Sequence, residues 1–236
     1  MKRESILYVF LAICLTFLLL SSGCTEQQPS GEGGEVRIGV VASMTGAAST
    51  TGKDIWQSAE LAAEEINAKG GIYVSGLGKS VPIRLVQGDD ESTREGGQKT
   101  VSKLITQDKV DVLVGGYSSA VVSAHQAIVA EYKVPYIISG GSSTSVSHRN
   151  DIDTSYMFFH RPNTDDSGEA SILFVDQVVR PALNGKFGFS EDRPLKLAVI
   201  YQDSPFGKGQ LDAVKNVIAA RNLKIEIIAE EPFKMG

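Results

Sequence analysis

Cysteine is almost missing from this 236-residue chain: Cys14 and Cys24 are the only two, and both lie near the N-terminus. The rest of the chain therefore has no disulfide, no thiolate metal site and no cysteine nucleophile. A basic excess is missing too. Lys and Arg number 23 against 28 Asp and Glu, giving a net charge of −5, and no basic stripe runs along any segment. Nucleic-acid binding, which relies on clustered cations, is excluded as a function class. Histidine is scarce, and His125, His148 and His160 have no metal-ligand spacing, so all three are expected on the surface. The usual enzyme loops are absent or broken. Gly78-Lys79-Ser80 copies the end of a phosphate-binding loop, but Tyr73 stands where the first glycine belongs and Val81-Pro82 continues extended. Gly207-Lys208-Gly209 follows a strand and opens a helix, yet Asp212 replaces the third glycine of a dinucleotide fingerprint. No G-x-S-x-G elbow occurs. The chain reads as a non-enzyme without a cofactor.

A full membrane-crossing run is also lacking. Ile6 to Leu20 is apolar apart from Thr16, short of the roughly 20 residues a spanning helix needs. With the basic Met1-Lys2-Arg3 before it and Ser21-Ser22-Gly23-Cys24 after it, this run fits a secretory leader over residues 1–23. Gly23-Cys24 resembles the lipoprotein processing box, in which the cysteine becomes the acylated first residue; Ser21 stands where the box usually has leucine. Residues 24–35, mostly Gly, Gln, Ser, Pro and Glu, read as a flexible tether behind a lipidated Cys24. The expected location is extracytoplasmic, anchored to the membrane.

What the sequence does contain is a repeated pattern. Three apolar strand-like runs each end in glycines and hydroxyl residues: Val36 to Ala42 into Ser43-Met44-Thr45-Gly46, Val110 to Val114 into Gly115-Gly116-Tyr117-Ser118-Ser119, and Tyr136 to Ile138 into Ser139-Gly140-Gly141-Ser142-Ser143. In an open parallel sheet, ligands sit outside the carboxyl ends of the strands, where small residues let amides and hydroxyls approach closely. A small polar or anionic ligand follows. Helical spacing is expected from Lys53 to Ala68 with a stop at Lys69-Gly70-Gly71, from Thr93 to Gln107, and from Ser119 to Glu131. A strand is expected from Val81 to Gln87, with Asp89 and Asp90 as helix caps. Strands alternating with such helices imply an α/β fold with a parallel sheet and helices on both faces. Ser142 to Asp153 reads as a polar loop and Tyr156 to Phe159 as a short apolar crossing. Beyond it, Thr164-Asp165-Asp166 caps a helix to about Arg180, followed by a strand from Leu195 to Tyr201, a helix from Gly207 to Ala220 and a strand from Lys224 to Ala229. A two-stranded second sheet buries little apolar surface, so the second lobe is expected to be incomplete.

These residues carry a resemblance. Val36-Arg37-Ile38-Gly39-Val40-Val41 with Met44-Thr45-Gly46, and Glu64-Glu65-Ile66-Asn67-Ala68-Lys69-Gly70-Gly71-Ile72, resemble the start of branched-chain amino acid binding proteins of ABC importers. Val112-Leu113-Val114-Gly115, Val134-Pro135-Tyr136-Ile137-Ile138-Ser139, Arg161-Pro162 with Thr164-Asp165-Asp166, and Ala198-Val199-Ile200-Tyr201 leading to Phe206-Gly207-Lys208-Gly209 follow in the family's order. The resemblance implies a two-lobed type 1 periplasmic-binding-protein fold, truncated at the C-terminus. Lobe 1 would occupy residues 36–158, and the hinge crossing with a partial lobe 2 residues 159–236. It implies a solute receptor for an amino acid or a related amide, with ABC permease subunits as partners. The alternative is an α/β enzyme or nucleotide-binding protein using the same crevice.

The residues themselves supply carboxylate chemistry. Ser119 opens a helix whose first amides lack internal partners, a natural anion site. Ser143 offers a hydroxyl and an amide, and the carbonyls of Tyr117 and Ser142 could accept from an ammonium. The resemblance matches Ser119 and Ser143 to the family's hydroxyl ligands, Ser142 to its backbone contact, Tyr117 to a pocket wall and Phe206 to an aromatic position on lobe two. Thr51 falls where many relatives have an aromatic wall, and Asp165 is a candidate both as cap and as ligand contact.

Overall fold

A computed structural model describes residues 34–234, so the expected leader, Cys24 and the tether up to residue 33 lie outside the described residues. From Val36 onward the chain forms one compact unit. It begins with β1 (Val36–Ala42), α1 (Ser49–Ala68), the short antiparallel pair β2 (Ile72–Val74) and β3 (Lys79–Val81), then β4 (Ile83–Asp89) and α2 (Arg94–Thr106). β5 (Val112–Gly115), α3 (Ser119–Tyr132), β6 (Tyr136–Ile138), the single turn α4 (Thr144–Ser147) and β7 (Met157–Phe159) follow. The five long-range strands form one parallel sheet in the order β4-β1-β5-β6-β7.

Several expectations change at this level. The strand foreseen from Val81 to Gln87 breaks at Pro82, which has no N–H to give to a ladder; Val81 pairs with Ile72 in the hairpin while Ile83 pairs with Val36 in the sheet. The run Tyr156 to Phe159 is not simply a crossing, since Met157 to Phe159 are hydrogen-bonded to β6 as the sheet's edge strand. The helix expected from Lys53 starts four residues earlier, at Ser49. Its end is as expected: Lys69 caps it and Gly70 and Gly71 take positive φ.

One face of the sheet is densely packed. Val41, Leu113, Tyr136, Ile138 and Met157 point toward Val101, Leu104 and Ile105 of α2 and Val122 and Val129 of α3. Burying each large aliphatic or aromatic side chain there contributes about 1.5–3 kcal/mol. A Cβ on Gly39 would stand 2.8 Å from Leu113 Cδ2, so a larger residue there would force that side chain to move. His125 is part of it too, contrary to the surface position expected. It is fully buried on α3, with Nε2 3.2 Å from Tyr136 Oη. α1 packs against β1 and β4, while Ile137 and Phe158 remain exposed.

The second layer is α5 (Thr164–Phe174), a wide helical turn over Val175–Val179, α6 (Arg180–Phe187), β8 (Leu195–Gln202), α7 (Pro205–Ala220) and β9 (Ile225–Phe233). β8 and β9 pair in parallel. α5 and α7 cross closely at small residues, a Cβ on Gly168 meeting Ala213 Cβ at 2.6 Å. The N-cap of α5 is Asn163, whose side chain accepts from the amides of Asp165 and Asp166, so Asp165 is a first-turn residue and not the cap. Among the described residues no helix is long and apolar enough to cross a membrane.

Candidate ligand-binding site

The loop after β5 can reach the strand ends only because of its two glycines. Gly115 and Gly116 have φ of +106° and +75°, and a Cβ would stand 2.2 Å from Val41 O at the first and 2.1 Å from Tyr136 Oη at the second. Such φ values favour glycine strongly. The sharp turn delivers Tyr117 and Ser118 to the crevice and starts α3 at Ser119. Ser118 takes the N-cap position with no side-chain cap bond. Ser119 is only 4% exposed, and its Oγ accepts a hydrogen bond from Ser143 N at 3.2 Å. The two hydroxyl-rich loops are thereby tied together.

Ser143 also links the layers. Its Oγ lies 2.8 Å from Ser145 Oγ and donates to Pro205 O at 3.2 Å. Next to it, Thr144 N donates to Thr164 Oγ1 at 3.0 Å, and the two threonine hydroxyls are 3.0 Å apart. On the far side, Ser204 caps α7 by accepting from Gly207 N at 3.3 Å.

A cleft of about 150 Å³ lies between these parts. From the sheet it is lined by Tyr117, Ser118, Ser119 and Gly140, from the β8–α7 turn by Gln202, Ser204 and Phe206, and from the link between layers by Arg161. Of the expected site residues, the structure brings Tyr117, Ser119 and Phe206 to this cleft. Ser142 and Ser143 are buried behind it, 6% and 2% exposed, and support the lining instead of forming it. Asp165 is exposed and does not line the cleft. Thr51 lies elsewhere, in a wider apolar groove with Ile55, Ala59, Val114 and Ser139, because α1 begins early enough to hold it in the first helical turn. Arg161, Gln202 and Ser204 were missed. The Arg161-Pro162 pair was visible in the sequence, and a cation at a link between layers is the signal that could have found it.

A second polar cluster fixes the first loop. Asp89 Oδ1 accepts from Met44 N at 2.9 Å and Glu91 N at 2.8 Å, and Oδ2 from Thr45 Oγ1 at 2.8 Å. Asp90 Oδ1 accepts from Ser43 Oγ at 2.6 Å and Ser92 N at 2.9 Å. Neither is the helix cap expected; Thr93 caps α2 by accepting from Gly96 N. Burial works to raise the Asp89 carboxyl, but its hydrogen bonds from Glu91, Thr45 and Met44 outweigh it and hold the group below the usual range. For Asp90 burial dominates and pushes the carboxyl up, despite the bonds from Ser43 and Ser92. Among the described residues, no group of three or more His, Cys, Asp or Glu could hold a metal.

Residues 35–236 match the family described as periplasmic binding protein. The chain is 28% identical over 181 residues to an "Amino acid binding protein" of Pseudomonas aeruginosa, covering 77% of this chain and 42% of the relative. It is 27% identical over 207 residues to "Leu/Ile/Val-binding protein homolog 2" of Brucella abortus, covering 88% and 48%. Among solved structures, the branched-chain amino acid transporter substrate binding protein LivJ of Streptococcus pneumoniae, in complex with isoleucine, superposes with a TM-score of 0.67 at 25% identity, covering 86% of this chain and 51% of that one. The chain thus spans less than half the length of the curated relatives it matches. With the strand-end loops, the two layers and the match over residues 35–236, this chain belongs to the periplasmic binding protein family.

Proposed function

We propose that the protein is a solute receptor of an ABC importer, holding an L-amino acid in the cleft for delivery to permease subunits. The observation that carries this reading is the convergence of Ser119, at the amide end of α3, with Phe206 and Ser204 of the opposite layer on one cleft. Helix-end amides favour a carboxylate, and Tyr117 and Phe206 offer apolar walls. The relatives' names, amino acid and Leu/Ile/Val binding, make the branched-chain amino acids the first ligands to try. The protein works by binding and not by catalysis. Ser142 and Ser143 hold the cleft wall, Asp165 and Thr51 stand outside it, and residues 36–158 and 159–236 serve as the two lobes. A leader over 1–23 exports the chain, acylation of Cys24 anchors it at the membrane, and residues 24–35 tether it.

The test is an amide-resolved NMR titration of the chain with the twenty L-amino acids, ATP and NAD. Shifts at Ser118 to Ala120 and Ser142 to Thr144 with at least one amino acid are expected. A response to ATP or NAD, with none to any amino acid, would refute the receptor reading.

A further inference from the structure

Arg161 brings to the cleft a charge that an aliphatic side chain cannot answer. It lines the cleft together with Ser119 and Phe206, and among the described residues its guanidinium has neither an ion-pair nor a hydrogen-bond partner. Asp165 and Asp166, four and five positions on, are exposed and do not pair with it; their amides are engaged with Asn163 Oδ1. No carboxylate among the described residues lines the cleft. The cleft therefore presents two separate anion-attracting features: the amide end of α3 at Ser119 and the guanidinium of Arg161. Gln202 and Ser204 add neutral polar side chains on the same wall as Phe206.

Arginine in such a position matches a carboxylate in both charge and shape, since its planar fork donates two parallel hydrogen bonds. A neutral apolar side chain placed against it would strip water from the cation and return nothing, which is unfavourable. We infer that the cleft selects a solute with two carboxylates, such as an acidic amino acid: one on the amide end of α3 at Ser119, the other on Arg161. This rests on the receptor reading above and makes it narrower, replacing a branched-chain ligand by an acidic one.

L-Glutamate and L-glutamine are the decisive probes, because they match in shape and differ in the distal charge. The intact chain is titrated with both, and with L-leucine, for the parent, Arg161→Gln and Arg161→Lys. Arg161 is exposed and its side chain has no hydrogen-bond or ion-pair partner among the described residues, so both variants should fold; circular dichroism checks this. The parent should prefer glutamate to glutamine by about tenfold or more, the usual effect of a charge-assisted hydrogen bond. Arg161→Gln should remove most of that preference by weakening glutamate far more than glutamine, and Arg161→Lys should retain part of it as a point charge. Raising the salt concentration should shrink the preference. Equal binding of glutamate and glutamine by the parent overturns the inference. So does an equal loss for all three ligands in Arg161→Gln, which would put the guanidinium on the shared α-carboxylate. Leucine binding without a glutamate preference sinks this inference alone, whereas silence toward every amino acid removes the receptor reading with it.

Discussion

Acid should weaken this fold through His125. The ring is fully buried against the sheet, with Nε2 3.2 Å from Tyr136 Oη and Nδ1 without a partner among the described residues. Burial alone lowers its pKa from 6.5 to about 3. Between those values the unfolded chain binds a proton at this ring and the folded chain does not, so stability falls as pH drops through 6.5 and the loss is complete near pH 3. The slope approaches about 1.4 kcal/mol per pH unit, so going from pH 7 to pH 5 should cost about 2 kcal/mol through this residue alone. For a fold of this size that is about 4–8 °C in Tm. Asp90 acts in the opposite sense. Its folded pKa is raised by burial, so the folded state holds the extra proton and regains stability as pH falls through that value toward 3.8. A comparison with a variant separates the two. His125→Gln removes the titration and still offers an amide to Tyr136. Urea unfolding followed by circular dichroism at pH 7, 6 and 5 should show the parent losing about 2 kcal/mol more than the variant over this range. Parallel profiles would mean that His125 gains a proton in the folded state without penalty, and the argument would fail.

Three further outcomes follow from the same structure. Ser119→Ala leaves the buried Ser143 N–H without its acceptor, so it should cost about 1–3 kcal/mol of stability and weaken amino-acid binding; an unchanged Tm would show that the contact contributes nothing. Gly115→Ala forces a Cβ to 2.2 Å from Val41 O at φ +106°, so thermal unfolding should register a loss of about 1–3 kcal/mol or more from strain, and a neutral result would refute the tight turn. Cys24→Ser should move the protein from the membrane fraction to the soluble one, because a single acyl chain already gives only marginal binding and none would remain; unchanged partition on fractionation would rule out the lipid anchor.

Much of the architecture was legible because it depends on local pattern. The apolar run Val36 to Ala42, the helical spacing up to Ala68 and the stop at Gly70-Gly71 need only backbone preferences and the period of burial. Glycines and hydroxyls after three strands marked the ligand side of the sheet, and Ser119 at a helix start marked the anion end. Some differences have local causes and others come from contacts far apart in sequence. Pro82 split a run that looked continuous. Asp89 and Asp90 resembled caps but bind a loop more than forty positions earlier. His125 looked like a surface residue because nothing near it in sequence reveals that Tyr136 lies beside it. Asp165 and Asp166 carry the charge favoured in a first helical turn, yet Asn163 provides the cap. That strands and helices alternate, and which strand ends are small and polar, follows from each segment's own residues. That Arg161, Gln202 and Ser204 share a cleft with Ser119 while Thr51 does not depends on how α1 and the second layer pack against the sheet, and packing joins residues that no local pattern connects.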